Sequence, residues 1–246
     1  MKRILFIAGA CILAQLSSAQ LKQGKIIYER KVNMHKRLTG DQESMRNMVP
    51  EFTTGKMQLL FSDHESIFKK MEEEEDIREQ AGGAEEDRTV VRMGGDNEVY
   101  KNYGIGKVIE LRELGPKKYI IEDSIRLLEW KLDEADTKTI KGYTCKKATA
   151  KNPQGLDILA WYTDQIVCTS GPEIFGGLPG MILELNIADG EIVFTPLEIL
   201  NSADQKLVKA PTNGKKITRK EFQKMLEEQF GESASGGGPV IRIMRN

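Results

Sequence analysis

Short alternating segments separated by turn-like connections run through most of this chain. In residues 127–133, Leu128, Trp130 and Leu132 alternate with charged residues, which places apolar side chains on one face of a strand and charges on the other. Links such as Gly94–Asn97 and Gly115–Pro116 are too short for the crossover that parallel strands require. The pattern therefore predicts a large antiparallel meander.

The predicted strands cover most of the chain beyond its first twenty residues. They are 25–34, 57–69, 89–93, 98–103, 107–114, 117–123, 127–133, 139–151, 156–166, 181–187 and 191–200. Sheets twist, and beyond about ten strands they curl, split or close. We expect a mainly β fold with one strongly curved sheet, in the form of a half-barrel or a flattened barrel.

One amphipathic helix is predicted near the C-terminus. Thr218 and Glu221 have capping-box spacing, and Phe222, Met225, Leu226 and Phe230 follow on one face, with Gly231 as the stop. We expect this helix to pack on the sheet. A shorter helix is predicted over residues 41–48. The acidic segment 72–88 and the Gly-rich tail 232–246 read as solvated linkers, which leaves a single domain over residues 20–231.

A glycine- and proline-rich stretch, Gly176, Gly177, Leu178, Pro179 and Gly180, leads directly into the strand at 181–187. Pro179 and Gly180 suit the two central positions of a type II turn, with Gly180 at positive φ. This is a structural motif that aims a strand and supplies no reactive group.

The same stretch resembles the signature of the GLPGLI family, secreted proteins of Gram-negative bacteria, with Met181 where the signature has leucine. Further blocks are similar to the family and follow its order: 121–124, 130–132, 140–148, 160–163 and 171–172. The resemblance covers roughly residues 20–200. It implies export and a β-rich fold, and because the family has no established activity it implies no catalytic residues.

The first nineteen residues read as a secretory signal peptide. Lys2 and Arg3 precede a short apolar run, and cleavage is predicted between Ala19 and Gln20. The run is shorter than the roughly 20 residues of a membrane-spanning helix. A lipid anchor at Cys11 is the other alternative, disfavoured because apolar residues continue after it. We expect an exported protein, periplasmic, associated with the outer membrane or extracellular, with no transmembrane segment in the mature chain.

Charge argues against nucleic acid as a partner. The full chain has a net charge of −1, and removal of the signal peptide takes away two positive charges and leaves −3. Proteins that bind nucleic acid carry a basic surface instead.

Cys145 and Cys168 remain in a compartment that permits disulfides. If residues 152–155 turn a hairpin, Cys145 faces Tyr162, and a bond to Cys168 requires the chain after Val167 to fold back. A structural disulfide is therefore an open alternative to two free thiols.

Candidate chemical sites are few. His35 and His64 lie far apart in the sequence, and the acidic segment lacks the spacing of a calcium loop, so no metal or cofactor is predicted. The Gly-x-Ser-x-Gly elbow and the phosphate-binding loop are both missing. These observations lower the expectation of an enzyme, and we predict no catalytic residue.

Aromatic residues in the family-like blocks suggest binding instead. We expect Trp130 and Trp161 in the core and Tyr162 on the opposite, exposed face, with Phe175 at the mouth of an apolar groove. The leading hypothesis is a non-enzymatic envelope protein that binds a lipid or peptide or assists an outer-membrane protein. A hydrolase with a hidden site and a structural subunit without ligand are the alternatives.

Overall fold

The computed structural model describes residues 20–38, 40–71 and 97–230. The predicted signal peptide, the acidic segment 72–88, the predicted strand 89–93, the Gly231 stop and the tail 232–246 lie outside the described residues. Among the described ones, no helix has the length and apolar character needed to cross a bilayer.

Twelve strands form one sheet that is followed by a single α-helix in the described part of the chain. The strands are β1 (Gly24–Asn33), β2 (Phe52–Phe61), β3 (Glu65–Lys70), β4 (Glu98–Asn102), β5 (Lys107–Leu114), β6 (Lys117–Ser124), β7 (Lys131–Ile140), β8 (Tyr143–Lys151), β9 (Asp157–Thr163), β10 (Met181–Ile187), β11 (Ile192–Leu200) and β12 (Lys215–Ile217), and the helix is α1 (Arg219–Phe230). The predicted mainly β fold with one C-terminal helix is confirmed.

Two segments that were predicted as single strands each contain a hairpin turn. The segment predicted at 57–69 contains the turn between β2 and β3, and the one predicted at 139–151 contains the turn between β7 and β8. In the second case Lys141 and Gly142 both have positive φ (49° and 87°) and join the paired residues Ile140 and Tyr143. A two-residue loop with two positive φ angles is the tight connection that suits a twisted hairpin. A lysine at such a position carries no turn signal, so the sequence pattern missed it.

The sheet consists of two meanders rather than one. Its order is β12-β6-β5-β4-β3-β2-β1-β11-β10-β9-β8-β7, so β1–β6 form one meander and β7–β11 the other. They join through antiparallel pairing of β1 with β11. The short β12 pairs with β6 in parallel, which makes the sheet mixed.

The connection from β6 to β7 requires strong curvature. These strands are ten positions apart in the sheet order, which is about 48 Å in a flat sheet. Residues 125–130 bridge them, and the path from Ser124 to Lys131 spans at most about 25 Å. The sheet must therefore curl until its two ends approach each other, although it does not close.

Aromatic contacts show towards which face the sheet curls. The rings of Phe68 on β3 and Phe194 on β11 have centroids 5.9 Å apart, although their strands are three positions apart in the sheet. Tyr28 on β1 also contacts Phe68, with a centroid distance of 6.3 Å. We call the concave face that bears these rings the inner face, and the opposite one the outer face.

The chain itself covers parts of both faces. Residues 164–180 cross the inner face, and α1 packs beside β6 on the same face through the ring contact of Phe222 with Tyr119 (5.9 Å between centroids). On the outer face, residues 201–214 run from β11 towards β12, and Val208 packs on Leu60 and Ile67. A sheet with apolar side chains on both faces is thus shielded by its own connections.

The capping box predicted for α1 is confirmed. The main-chain N–H of Thr218 donates to Glu221 Oε2 at 2.7 Å, and the Glu221 N–H donates to Thr218 Oγ1 at 3.2 Å. The shorter helix predicted at 41–48 is a 3₁₀ helix over Gly40–Met48 rather than an α-helix.

Candidate functional site

The segment between β9 and β10, residues 164–180, is held against the inner face by buried polar contacts. The hydroxyls of Ser66 on β3 and Ser170 are 2.8 Å apart, and both side chains are fully buried. The main-chain oxygen of Ser170 also accepts from the N–H of Ile182 at 2.9 Å. One end of the segment is therefore fixed to β3 and to β10 at once.

Lys101 on β4 is the residue that holds the middle of the segment. Its side chain is fully buried, and its Nζ donates to the main-chain oxygens of Gly171 at 2.8 Å and Phe175 at 2.7 Å. Buried main-chain carbonyls need a partner, and the ammonium group supplies two bonds to a segment without regular structure.

Burial lowers the pKa of Lys101 to about 7, because the protein interior disfavours its charged form. Cys168, Glu173 and Glu110 act in the opposite direction through their charges. Near pH 7 the charged and neutral forms of the amine are therefore similarly populated, and either form has the two protons needed to donate to both carbonyls.

Two glycines of the motif are required by close contacts. A Cβ on Gly176 would lie 2.0 Å from Tyr103 Oη and 2.7 Å from the Thr169 oxygen. A Cβ on Gly180 would lie 2.0 Å from the main-chain oxygen of Thr163, and Gly180 has a φ of 135°. The motif thus lets the segment approach β9 and Tyr103 more closely than any side chain would allow.

The turn at Pro179 differs from the predicted type II turn. The positive φ of Gly180 is confirmed, but its N–H donates to the Leu178 oxygen at 2.7 Å. That bond spans three residues and defines a γ-turn centred on Pro179. The tighter turn directs the chain into β10 while Leu178 is buried in the inner core.

Trp130, in the connection between β6 and β7, forms a hydrogen bond with the glycine motif. Its Nε1 donates to the main-chain oxygen of Gly176 at 3.0 Å, and Leu127 lies against Gly177. Trp130 and Trp161 are half-buried at the margin of the core, so the prediction that they are ordinary core residues is wrong. Lys138 covers Trp161, with Nζ 4.4 Å from the ring centroid.

The buried polar groups resemble a set of catalytic residue types, but their access argues for a structural role. Lys101, Ser66 and Ser170 could supply a base and a hydroxyl nucleophile. All three are fully buried: Lys101 and Ser66 lie under the segment 164–180, and Ser170 is part of it. A substrate carbonyl would have to displace that segment before reaching either serine. The geometry therefore favours a structural role, in which these groups hold the segment on the sheet, over a catalytic one.

The predicted ligand-binding residues are not brought together at an open groove. Tyr162 is only 1% exposed and belongs to the inner core, so the prediction that it is exposed is wrong. The alternation was read correctly, since Tyr162 and Trp161 do face opposite ways, but the covered face is the one that bears Tyr162. Phe175 is partly buried against the same core, and its main-chain oxygen is bonded to Lys101.

Cys145 and Cys168 are buried and unbonded. Burial raises the pKa of each thiol to about 12. The hairpin at 152–155 forms, but Lys146 rather than Cys145 is opposite Tyr162. The thiol form of both residues is the one that this environment stabilises.

The remaining predicted positions lie away from the glycine motif. Ala19 is outside the described residues, and Gln20 is exposed, with Nε2 donating to the Asp164 oxygen at 2.9 Å. His35 contacts the Val49 oxygen through Nε2 at 2.9 Å, whereas His64 is exposed beside Asp63. The described ranges contain no group of three or more His, Cys, Asp or Glu side chains placed to hold a metal.

Three large apolar side chains are exposed around the motif. Ile105, Leu127 and Ile174 are 69%, 59% and 49% exposed. The Gly106 oxygen accepts from the Ile125 N–H at 2.9 Å, which brings the turn of Ile105 to the strand-free segment of Leu127. Leu127 in turn lies on Gly177, three residues after Ile174. We call these three residues the loop patch.

Sequence reasoning missed Lys101 and the loop patch. Lys101 lies in an ordinary alternating strand beside Tyr100 and Asn102, and nothing in its neighbours marks it as buried. The members of the loop patch come from three separate connections. The links between these connections, the Ile125–Gly106 hydrogen bond and the contact of Leu127 with Gly177, form only in the folded chain.

The part of the chain that matches a known protein family includes this segment. Residues 151–184 match the Porph_ging family, described as a protein of unknown function. This is the GLPGLI family, and the match spans β9, the glycine-rich segment and the beginning of β10. No curated protein sequence matches the chain.

Two solved structures share the fold. They are PNGF-II in space groups C2 and P2₁, each 15% identical with a TM-score of 0.53 over 83% of this chain. The chain spans about a third of their length, 32% and 33%. At this identity the similarity concerns the fold alone.

Proposed function

We propose that this protein is an exported, non-enzymatic protein of the cell envelope that docks on a partner protein, with an outer-membrane protein as the expected class. The observation that supports the proposal is the loop patch. Contiguous exposed apolar groups on a folded surface commonly mark sites of interaction. The predicted signal peptide and the GLPGLI-like blocks support the location.

Hydrogen bonds hold the chain on either side of two members of the loop patch, which suits recognition. Lys101 binds the Phe175 oxygen next to Ile174, and Trp130 binds the Gly176 oxygen beside Leu127. A pre-organised surface loses little conformational entropy on binding, so more of its apolar contact contributes to affinity.

A docked protein fits this surface better than an internally carried lipid. A carrier needs a continuous apolar cavity, whereas the inner face around Tyr162 is occupied by residues 164–180. At the rim of the loop patch, Arg126 lies 3.3 Å from Asp123, but its side chain is 79% exposed and can also pair with a carboxylate of the partner. The expected partner surface is therefore apolar with an acidic rim.

The test combines two variants with native mass spectrometry of protein purified from its own envelope. Ile105→Asp/Ile174→Asp changes two exposed positions of the loop patch and leaves Leu127, which packs on Gly177, in place. Leu156→Asp is the matched control, because Leu156 is 42% exposed in the turn between β8 and β9. Circular dichroism and thermal melts establish that all three proteins fold.

We expect one defined protein, in stoichiometric amount, on the wild type and on Leu156→Asp, and its loss from the double variant. Equal retention by the double variant would show that the loop patch is not the docking surface. A retained lipid in place of a protein, lost in the double variant, would favour the carrier hypothesis at this same surface.

A further inference from the structure

Two arginines and two glutamates form a charged cluster apart from the loop patch. Arg30 lies on β1 and Arg37 in the 3₁₀ turn that follows β1. Arg37 Nε is 3.0 Å from Glu191 Oε1, and Arg30 Nε is 3.7 Å from Glu173 Oε1. Glu191 directly precedes β11, and Phe194 on β11 is opposite Arg30, so the two arginines lie at the same end of the β1–β11 pair. Burial lowers the pKa of Arg37, Glu191 raises it, and the charge of Arg30 lowers it further.

The hydrogen bonding of this cluster is incomplete. Among the residues that the structure describes, Arg30 Nε and Arg37 Nη1 are buried atoms without a hydrogen-bond partner. At 3.7 Å the Glu173 oxygen is too far from Arg30 Nε to accept its proton. Each of these two arginines therefore has one buried donor for which the described residues supply no acceptor.

A second cluster of arginines and carboxylates in the same protein has complete hydrogen bonding around its buried carboxylate. Glu110 is buried between β5 and α1, and its two carboxylate oxygens accept from Arg112 and Arg219. Arg219 also donates to Asp123 at 3.0 Å. The contrast indicates that the open donors of Arg30 and Arg37 are a local property and not a general feature of arginines on this sheet.

Space and access are available beside Arg30. Its direct neighbour on β2 is Gly55, which is exposed, and a Cβ there would meet no heavy atom within 4 Å. Opposed residues of an antiparallel pair point to the same face, so this opening lies on the face of Arg30. The side chains of Arg30 and Arg37 are themselves partly exposed, at 23% and 18%.

Glu173 adds a strained element. Its backbone has a φ of 49°, in the left-handed region that non-glycine residues rarely adopt. It lies in the turn that the hydrogen bond from the Phe175 N–H to the Pro172 oxygen closes at 3.1 Å. The Glu173 carboxylate is next to Arg30 but does not complete a hydrogen bond with it. In this position it competes with the anionic group of a ligand for Arg30.

We propose that Arg30 and Arg37 form a binding site for a single oxyanion group, a carboxylate, phosphate or sulfate carried by a small ligand. Guanidinium groups present paired donors that match such groups, and each open donor gains an acceptor on binding. The Glu173 carboxylate moves away from Arg30 as the anion enters. The site is separate from the loop patch and does not depend on the proposed function.

Isothermal titration of the full mature chain with sodium phosphate, sulfate and acetate, each against chloride at equal ionic strength, tests the proposal. We expect one binding event per chain for at least one of these anions, and the three arms distinguish the carboxylate from the tetrahedral oxyanions. Arg37→Gln should weaken binding at least tenfold, and Arg30→Lys, which keeps the charge but loses the paired donors, should also weaken it. Lys36→Gln is the control, because Lys36 is the neighbouring exposed cation and pairs with Asp189.

Glu173→Gln separates an anion site from a purely structural ion pair. Removal of the competing carboxylate should strengthen anion binding several-fold, whereas a structural pair would only lose stability. The proposal is overturned if the wild type binds none of the three anions more tightly than chloride. It is also overturned if Arg37→Gln and Lys36→Gln weaken binding equally, or if Glu173→Gln leaves the affinity unchanged. If Arg37→Gln does not fold, the affinities of Arg30→Lys and Glu173→Gln still test the proposal.

Discussion

The Nζ atom of Lys101 lies 2.7 Å from the main-chain oxygen of Phe175. A cationic side chain in the middle of β4 thus fastens the residue that precedes the glycine motif. The same Nζ binds the Gly171 oxygen, so a single lysine holds both ends of a five-residue loop. The connection between β9 and β10 is part of the core for this reason.

Lys101→Met should lower the free energy of unfolding by about 2 kcal/mol at pH 7, because two buried carbonyls lose their donor. The gain from no longer burying an amine offsets part of that loss. Urea denaturation measures the difference. Lys107→Met is the control, since Lys107 pairs with Glu122 at the surface and its loss should stay within about 0.5 kcal/mol. Equal effects of the two variants would contradict the fastening role.

The stability of the protein should rise between pH 7 and pH 9 through Lys101. The folded state releases the Lys101 proton at a pKa of about 7, whereas the ordinary value is 10.5. In this window the unfolded state binds more protons, so the free energy of unfolding increases with pH, by about 2 kcal/mol from this group. Denaturation midpoints at several pH values measure it.

Lys101→Met should remove that increase. From about pH 8 the buried Cys145 and Cys168, whose pKa is raised from 9.0 to about 12, act in the opposite direction, because the unfolded state then begins to release thiol protons that the folded state retains. The slopes of the wild type and the variant are therefore compared between pH 7 and pH 8. A wild type and a variant with the same slope would show that Lys101 does not titrate near 7.

Gly180→Ala should cost about 3 kcal/mol or more. The added Cβ would lie 2.0 Å from the Thr163 oxygen, and the φ of 135° is unfavourable for alanine. Thermal and urea denaturation measure the loss. Gly155→Ala is the matched control, with φ of 81° but no heavy atom within 4 Å of the new Cβ, and should cost only about 1 kcal/mol. A loss for Gly180→Ala no larger than that of the control would mean that the close contact with β9 is not maintained.

Arg219→Gln should detach the beginning of α1 and destabilise the fold by about 2–4 kcal/mol. Glu110 is buried and would keep Arg112 as its remaining charged partner, so part of its negative charge becomes uncompensated. Hydrogen exchange of α1 and urea denaturation report the two effects. Lys224→Gln removes an exposed pair with Glu228 on the same helix and should change stability by less than about 0.5 kcal/mol.

The mature protein should begin at Gln20. The basic start, the short apolar run and the small residues before Ala19 all favour cleavage at that bond. N-terminal sequencing of the protein from its own envelope measures the outcome. Retention of Met1, or a lipid on Cys11, would contradict it.

Local features were predictable because they depend on neighbours in the sequence. The bounds of β5 and β10 follow from alternation that ends at glycine turns, and the capping box of α1 needs only Thr218 and Glu221. The positive φ of Gly180 follows from its place after Pro179. Each of these is decided within a few residues.

Other features depend on pairing between distant parts of the chain. The β1–β11 ladder joins the two meanders, and alternation along either strand says nothing about which partner it takes. The same limitation explains Tyr162. Its alternation with Trp161 is local, but which of the two faces is covered depends on where residues 164–180 lie.

The sequence by itself thus determined a mainly β chain with a C-terminal helix and a glycine-rich motif, because backbone periodicity and steric freedom are local properties. The tertiary structure alone decided that Lys101 is buried, that Leu127 lies against Gly177, and that Arg30 and Arg37 lie at the same end of the β1–β11 pair. Burial and proximity arise only when the sheet curls, because curvature brings together side chains that are far apart in the sequence.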